Sequence, residues 1–444
     1  MKSVKIKFID IAYIFAILFP IIPSYFEMGG VAVINVLCFA VILVRLIIGV
    51  RKKIRCTSID FILIFIWILW ETIVGLLHGD ATGVVVTLLY LLSVIIVAGS
   101  LNTIDQFNKM VDCIIYTAGV VAVFGIIESL TGFNVFSVLN TSGATLNYNP
   151  PRFGLTRIIS SSGHAIEYCS YCMMCLSLTF YRIVNMKKSK KKRVYMLIYV
   201  LIFSNAILTL SRSALICMFV CQIVLLYESG FDYFLKTMLK VLLGVIAICT
   251  IVSTAVPTVG KAIQTMVYMF LAIFNDNYKS IISTSFGNDN LSAFGNRLDL
   301  VGWVIDDMKG HYFLGMGPNV GFNHAFTEYS GAYSWTTIKH SIEVNYLNIL
   351  WNYGIITLVM EIVCAFKIIA NELKTKKAVT ENRLSFGKTC GILSICYLMI
   401  WLAIAQGTEY KTFILIIALF FAYKRITKQL NQKATVDNYK AIEE

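Results

Sequence analysis

Apolar runs of about 20 residues recur along the whole of this 444-residue chain, and each is long enough to cross a hydrocarbon core of roughly 30 Å. Because lipid offers the backbone no hydrogen-bond partners, such runs are expected to be helices that satisfy their own amide groups. We predict about twelve spans, near 8–25, 31–48, 59–77, 83–100, 110–130, 164–184, 194–210, 213–228, 236–256, 342–370, 389–405 and 410–424. The predicted fold class is therefore an all-α, polytopic integral membrane bundle.

The composition agrees with this fold class. Hydrophobic residues make up 58% of the chain and charged residues 14%, and the mean hydropathy is +0.75. A soluble domain has about 25% charged residues. The net charge of +13 could indicate nucleic acid, but the basic residues cluster at alternate ends of the predicted spans. The lipid bilayer is therefore an expected partner, and nucleic acid is not.

The basic clusters also predict an orientation. They lie at residues 2–7, 51–55, 187–193, 374–377 and 424–428. With twelve spans every cluster falls on the same side of the membrane, and the positive-inside rule makes that side cytoplasmic. We therefore expect a multi-pass protein of the bacterial inner (cytoplasmic) membrane with both termini in the cytoplasm.

Two long polar stretches fall on the predicted outer side. One is the loop 131–163, and the other is the larger loop 257–339 that precedes the tenth span. Spans one to nine then occupy residues 1–256, spans ten to twelve occupy 340–426, and 427–444 form a polar cytoplasmic tail, partly disordered. A protein with one large loop on one face usually works where that loop meets the helices.

The larger loop contains a helical pattern. Between Asn296 and Met308 the apolar residues recur at helical spacing and predict a short helix along the membrane surface, with an apolar face of Leu298, Val301, Val304 and Ile305. The run Gly315-Met316-Gly317-Pro318 is typical of a turn that follows such a helix.

Neither a metal nor a cofactor is predicted. The chain has twelve cysteines, and none lies in 131–163 or 257–339, so no disulfide is expected on the outer side. Cys169, Cys172 and Cys175 have the spacing of a metal cluster, but they drift around one side of an apolar helix with no separate fourth ligand, which favours packing. The sequence contains no HxxxH and no DxD pattern.

Three arginines are candidate anion ligands. Arg212 lies in a very tight link between two apolar runs, where an arginine needs a partner or must reach the headgroups. Arg157 and Arg297 lie near helix ends on the same predicted side. Reaching toward the headgroups explains each arginine singly. Three of them on the side with fewer basic residues favour a site for a lipid diphosphate, whose oxygens a guanidinium holds in a bidentate fork.

Two further residues are candidate proton acceptors. His340 and Glu343 stand three residues apart at the predicted start of the tenth span, so a helix would place them on one face. Either one, or the pair, could take a proton from an attacking hydroxyl. An ordinary polar helix start, with Ser341 as the cap, explains them equally well. His164 and Glu167 repeat the arrangement before the sixth span.

Over roughly residues 110–405 the sequence resembles the O-antigen polymerase and O-antigen ligase family of polysaccharide assembly proteins. Four features carry the resemblance in order along the chain: Arg157 to His164, then Leu210-Ser211-Arg212-Ser213, then Asn296-Arg297 with Trp303 and Phe313-Leu314-Gly315-Met316-Gly317-Pro318, and finally Glu343-Val344-Asn345-Tyr346-Leu347 with Gly354. The expected spans and the large outer loop before the tenth span also resemble the family.

The resemblance implies a GT-C-like helical fold and metal-independent glycosyl transfer on the outer (periplasmic) face. The donor would be an oligosaccharide on undecaprenyl diphosphate, and a chain-length regulator and a flippase would be further partners. By position Arg212 and Arg297 resemble the family's diphosphate arginines, and Arg157, His164 and Asn345 would bind substrate. The ligase branch has a histidine where this chain has Glu343, with His340 one turn earlier. The base therefore stays open between the two, and polymerase is favoured over ligase.

Three functions remain as hypotheses. The first is a polymerase of lipid-linked repeat units. The second is an O-antigen ligase or protein O-oligosaccharyltransferase, which differs only in its acceptor. The third is a flippase or secondary transporter, a class that places ionisable residues and broken helices near the bilayer midplane. Ionisable residues here gather at the outer ends of the predicted spans, which favours surface chemistry.

Overall fold

The computed structural model of the protein describes residues 7–48, 59–143, 156–236, 268, 295–330, 333–375, 377–378, 381–402 and 408–443. Its principal helices are α1 (Phe8–Leu18), α2 (Val33–Ile48), α3 (Ile59–Leu77), α4 (Ala81–Ser100), α5 (Ile104–Thr131), α6 (Ala165–Asn185), α7 (Lys190–Leu208), α8 (Arg212–Glu228), α9 (Gly295–Asp307), α10 (Asn345–Lys374), α11 (Phe386–Ile400) and α12 (Thr408–Glu443).

The helical and apolar character predicted from the sequence is confirmed. By length and composition α4, α5 and α10 are able to cross a membrane, and α1, α2, Phe65–Leu77 of α3 and α11 are shorter apolar helices. The count of twelve spans stays a prediction, because the run expected at 236–256 lies, from residue 237 on, outside the described residues.

The prediction of an all-α fold was wrong in one place. The large loop also contains an antiparallel hairpin of β3 (His324–Ser330) and β4 (Tyr333–Lys339), in a register that pairs His324 with Lys339 and Ser330 with Tyr333. Both strands are rich in aromatic and β-branched residues around a short Gly-Ala link, which is a hairpin signal. A second, two-residue pair, β1 (Glu27–Met28) and β2 (Val31–Ala32), follows α1.

Local capping explains several helix boundaries. The side chains of Thr103, Ser189 and Ser385 each accept a backbone N–H in the first turn of α5, α7 and α11, which satisfies a donor that has no partner within the helix. Gly132 ends α5 in the left-handed conformation, with φ at 73°. The C-terminal tail, which was expected to be partly disordered, is helical where it is described: α12 continues to Glu443.

Polar side chains join the helices of the main core. Asn205 of α7 accepts from the Tyr168 hydroxyl of α6 at 3.0 Å and donates to the carbonyl of Ala122 of α5 at 2.8 Å. A Cβ at Gly125 would overlap the Asn205 amide, so glycine is what lets α5 approach this closely. Buried hydrogen bonds of this kind hold helices together where the surroundings are equally apolar.

Contacts between distant segments sort the helix termini into two groups. One group, which we call the Arg182 end, is joined by Arg182 to Asp112, by Asn185 to Leu384, by Lys388 to Glu228 and by Arg425 to Leu101. The other, the Arg212 end, is joined by Glu27 to Thr141, by His78 to Leu314, by Arg157 to Ser211, by Asn345 to Trp401 and by Lys411 to Ile22. The basic run 187–193, at the link between α6 and α7, lies at the Arg182 end.

Candidate active site

Arg157 is built into the protein at the Arg212 end. Its side chain is 7% exposed, its Nε donates to the carbonyl of Thr209 at 3.1 Å, and its Nη2 donates to the Ser211 hydroxyl at 2.9 Å. The backbone beside it is held by Glu128 of α5, whose two oxygens accept from the amides of Ile159 and Ser160. Arg157 therefore fixes the link between α7 and α8, the link in which the sequence placed Arg212.

The link itself is as tight as the sequence indicated. Helix α7 ends at Leu208 and α8 begins at Arg212, with Leu210 in the left-handed region at φ 51°. A leucine there costs of order 1–2 kcal/mol, so the fold accepts strain in order to make this turn. Arg212 is half-buried and is the first residue of α8.

The electrostatics of this position favour an anion. The first turn of a helix presents free N–H groups and a partial positive charge. An arginine placed there adds a full positive charge, which is unfavourable next to the dipole unless negative charge is also present. A diphosphate carries negative charge that complements both a guanidinium and the N-terminus of a helix.

His164 lies beside Arg157 and directly before α6. Its Nδ1 accepts the backbone N–H of Ile166 at 3.3 Å, so the side chain caps the helix. Burial lowers the pKa of His164 below its usual value, and the positive charge of Arg157 lowers it further. Neutral imidazole is the form that can accept this hydrogen bond. The structure thus brings three predicted residues, Arg157, His164 and Arg212, to one end of the bundle.

The glycine-rich run of the large loop is held in a break in α10. Gly354 interrupts α10 with φ 79° and ψ 178°. Around this break the amide of Met316 donates to the carbonyl of Trp351 at 2.6 Å, and the amide of Ile355 donates to the carbonyl of Tyr312 at 2.8 Å. The loop therefore replaces hydrogen bonds that the interrupted helix loses.

The prediction that His340 and Glu343 share one face of a helix is wrong. Both residues precede α10, which begins at Asn345, and His340 directly follows strand β4. His340 Nδ1 lies 2.6 Å from Oδ1 of Asn323, and Lys339 donates to Glu343 at 2.6 Å. The strand that ends at Lys339 keeps the following residues out of a helix. Intrinsic helix propensity around residue 340 is too weak to override this strand pairing.

Asn345 is the first residue of α10, and the burial of its side chain could not be predicted from the sequence. Its side chain is fully buried, and neither its Oδ1 nor its Nδ2 has a hydrogen-bond partner, although its backbone N–H donates to the carbonyl of Trp401 at 2.9 Å. The indole N–H of Trp401 is also buried without a partner. Unsatisfied polar groups of this kind are rare in native proteins, and here two lie at neighbouring residues of the candidate site.

Arg297 lies in the first turn of α9, where its side chain is outside the described residues. The expected helix is present as α9. Its buried side consists of Leu300, Val304 and the following Met308, whereas Ile305 is 44% exposed. That face packs on Trp351 of α10, so the neighbouring helix, and not the apolar pattern alone, selects it. A role for Arg297 at a diphosphate stays a prediction.

Sequence reasoning missed three residues that shape this site. The ring of His78, after α3, lies 3.1 Å from the carbonyl of Leu314 and packs over Gly317. Asn323 contacts His340, and the adjacent His324 lies 2.9 Å from Asp307 and stacks on Trp303. These contacts join segments far apart in the sequence, so no local signal singled them out.

Cysteine and acidic residues form no candidate metal centre in the described part of the chain: no group of three or more metal-ligating side chains occurs there. Cys169, Cys172 and Cys175 are fully buried free thiols among the helices of the main core, which confirms that they pack.

Neither a protein-family model nor a curated protein matches this sequence. Function therefore has to be argued from the side chains gathered at the Arg212 end.

Proposed function

We propose that this protein is a polymerase of polysaccharide repeat units that works on the outer face of the bacterial inner membrane. It transfers a glycan from undecaprenyl diphosphate to a sugar hydroxyl of another lipid-linked repeat unit. The observation that carries the proposal is the buried fork from Arg157 to Thr209 and Ser211, which fixes the turn that begins α8 at Arg212. An arginine that begins a helix at a turn fixed in this way is suited to a diphosphate leaving group.

The candidate base lies at the same end. Helix α8 packs along α11. The carbonyl of Trp401 at the end of α11 accepts the backbone N–H of Asn345, which begins α10. His340 lies five residues before Asn345 in the sequence. Asn323 Oδ1 is an acceptor, so its contact with His340 requires the Nδ1–H tautomer and leaves a lone pair on Nε2. Glu343 is engaged by Lys339. His340 is therefore the better candidate of the two.

The chemical step follows from these roles. The hydroxyl oxygen of the acceptor sugar attacks the anomeric carbon of the donor and forms the new glycosidic bond. The bond from that carbon to the diphosphate oxygen breaks, and its electron pair stays on the diphosphate. His340 Nε2 takes the hydroxyl proton, and Arg212 stabilises the added negative charge.

The test is a deletion strain that is complemented with variants, with the glycan separated by size. Arg212→Ala and His340→Ala should leave a single repeat unit where the wild type makes a ladder, at equal protein level. Arg193→Ala is the matched control, because Arg193 is an exposed arginine at the Arg182 end. A full ladder from Arg212→Ala would contradict the proposal. A ladder that persists on the carrier in the deletion strain indicates a ligase, and unflipped precursor indicates a transporter.

A further inference from the structure

Four glutamates are buried in the described part of the chain, Glu128, Glu361, Glu372 and Glu381, and Glu372 differs from the two that accept several hydrogen bonds. Glu128 is 3% exposed and accepts two backbone amides. Glu381 is 8% exposed and accepts from the hydroxyls of Tyr181 and Tyr423 and from two backbone amides. Glu372 of α10 is completely buried, and neither of its carboxyl oxygens has a hydrogen-bond partner.

Two glycines of α11 explain how Glu372 becomes so deeply buried. A Cβ at Gly387 would lie 2.6 Å from the carbonyl oxygen of Glu372, and a Cβ at Gly391 would lie 3.3 Å from its Cβ. The glycines are four residues apart and form a small-xxx-small pattern, which lets two helix backbones approach closely. The backbones of α10 and α11 therefore lie close together beside Glu372.

Among the residues that the structure describes, the groups that face Glu372 provide no positive charge. From α11 they are the Ser394 hydroxyl, which is itself buried without a partner, and the buried Cys390 thiol. On its own helix Lys374 is exposed, and Lys388 of α11 is bonded to Glu228. A carboxylate buried in this way, which faces only a hydroxyl and a thiol among the described residues, is disfavoured relative to the neutral acid.

We propose that Glu372 is a proton-binding site at the Arg182 end of α10, and that its neutral carboxyl group holds α10 against α11. One proton adds to the carboxylate to give the acid, which exchanges a hydrogen bond with the Ser394 hydroxyl. Loss of that proton leaves a bare charge between the two helices and loosens their contact. The site lies at the end opposite Arg212 and does not depend on the proposed polymerase activity.

A carbodiimide tests the site in the full-length protein. Dicyclohexylcarbodiimide enters apolar regions and adds to a neutral carboxylic acid: the carboxyl oxygen bonds to its central carbon, the proton moves to nitrogen, and an acyl shift yields a stable N-acylurea. The detergent-purified protein is treated, digested and analysed by mass spectrometry. Glu372 should be labelled, and Glu128 and Glu381, whose oxygens accept several N–H or O–H groups, should not. Unlabelled Glu372, or equal labelling of all three, overturns the proposal.

Stability against pH provides a second readout. A carboxyl group that is neutral only in the folded state stabilises the fold at low pH, and this stabilisation is lost as the pH rises. The melting temperature of the wild type should therefore fall toward alkaline pH more steeply than that of Glu372→Gln, which keeps a neutral group of the same size. Identical slopes for the two proteins would refute proton binding at Glu372. The labelling experiment uses the wild type and so decides the matter even where the variant fails to fold.

Discussion

Gly315 and Gly354 meet backbone to backbone, although 39 positions of sequence separate them: a Cβ on Gly315 would lie 2.7 Å from the amide nitrogen of Gly354. A Cβ on Gly354 would in turn overlap the carbonyl of Phe313. The contact joins the turn of the large loop to the break in α10, just beyond Asn345. The geometry of the candidate site thus depends on two positions at which no side chain is tolerated.

Gly354→Ala should therefore disrupt the site. Alanine at φ 79° and ψ 178° occupies a region that is almost exclusive to glycine, and such strain costs of order 1–3 kcal/mol before any overlap is counted. We expect a lower melting temperature in detergent and loss of the glycan ladder. Gly302→Ala in α9 is the control, because a Cβ there meets nothing within 4 Å. Equal melting temperatures for both variants would argue against the docking described here.

Arg157 is expected to act on the reaction through Arg212. Ser211→Ala removes one of its two hydrogen bonds, while Arg157→Ala removes both. We expect roughly a tenfold loss of kcat for the first and a hundredfold loss for the second, because displacement of a binding group by about 1 Å has effects of this size. The measurement is polymerisation of a purified lipid-linked repeat unit, and Arg157→Lys tests whether charge without the fork suffices. A change confined to KM would speak against a positioning role.

Acid should destabilise the protein through His164. Burial and Arg157 hold the pKa of His164 below its usual value, so the folded state binds fewer protons than the unfolded state. The associated stability is complete above the unfolded pKa of about 6.5 and is lost as the pH falls below it. His164→Asn keeps a capping acceptor but does not titrate, and its melting temperature should fall less on acidification. Parallel curves for variant and wild type would show that other groups cause the acid sensitivity.

Asp112 should matter for folding and not for chemistry. It is 9% exposed and accepts from Arg182 at 2.8 Å and from Lys191 at 2.6 Å. Asp112→Ala takes the carboxylate away from half-buried Arg182, which still donates to Asn108, and the loss of these charged hydrogen bonds should cost about 1.5–3 kcal/mol. We expect reduced protein level and a lower melting temperature, with the surviving protein still active. Asp105→Asn, at an exposed position in the first turn of the same helix, should leave both unchanged.

Sequence reasoning located the described helices because their signals are local. The apolar runs, the capping residues and the tight link before Arg212 each depend on neighbours within a turn or two. It missed the hairpin and the true start of α10, since the segment up to Lys339, directly before His340, is placed by strand pairing with a segment that begins at His324. The apolar rhythm of α9 did not indicate which of its sides is buried, because packing against Trp351 of another helix decides that.

The sequence by itself determined that this chain forms apolar helices with basic ends, and that Arg212 stands in a turn between two of them. Only the tertiary structure decided that Arg157 is a buried support for that turn, that Gly315 fills the break at Gly354, and that Glu372 has no partner. The physical reason is the range of the interactions. Helix formation depends on residues a few positions apart, whereas the Arg157–Ser211 bond joins residues 54 positions apart and exists only once the helices have packed.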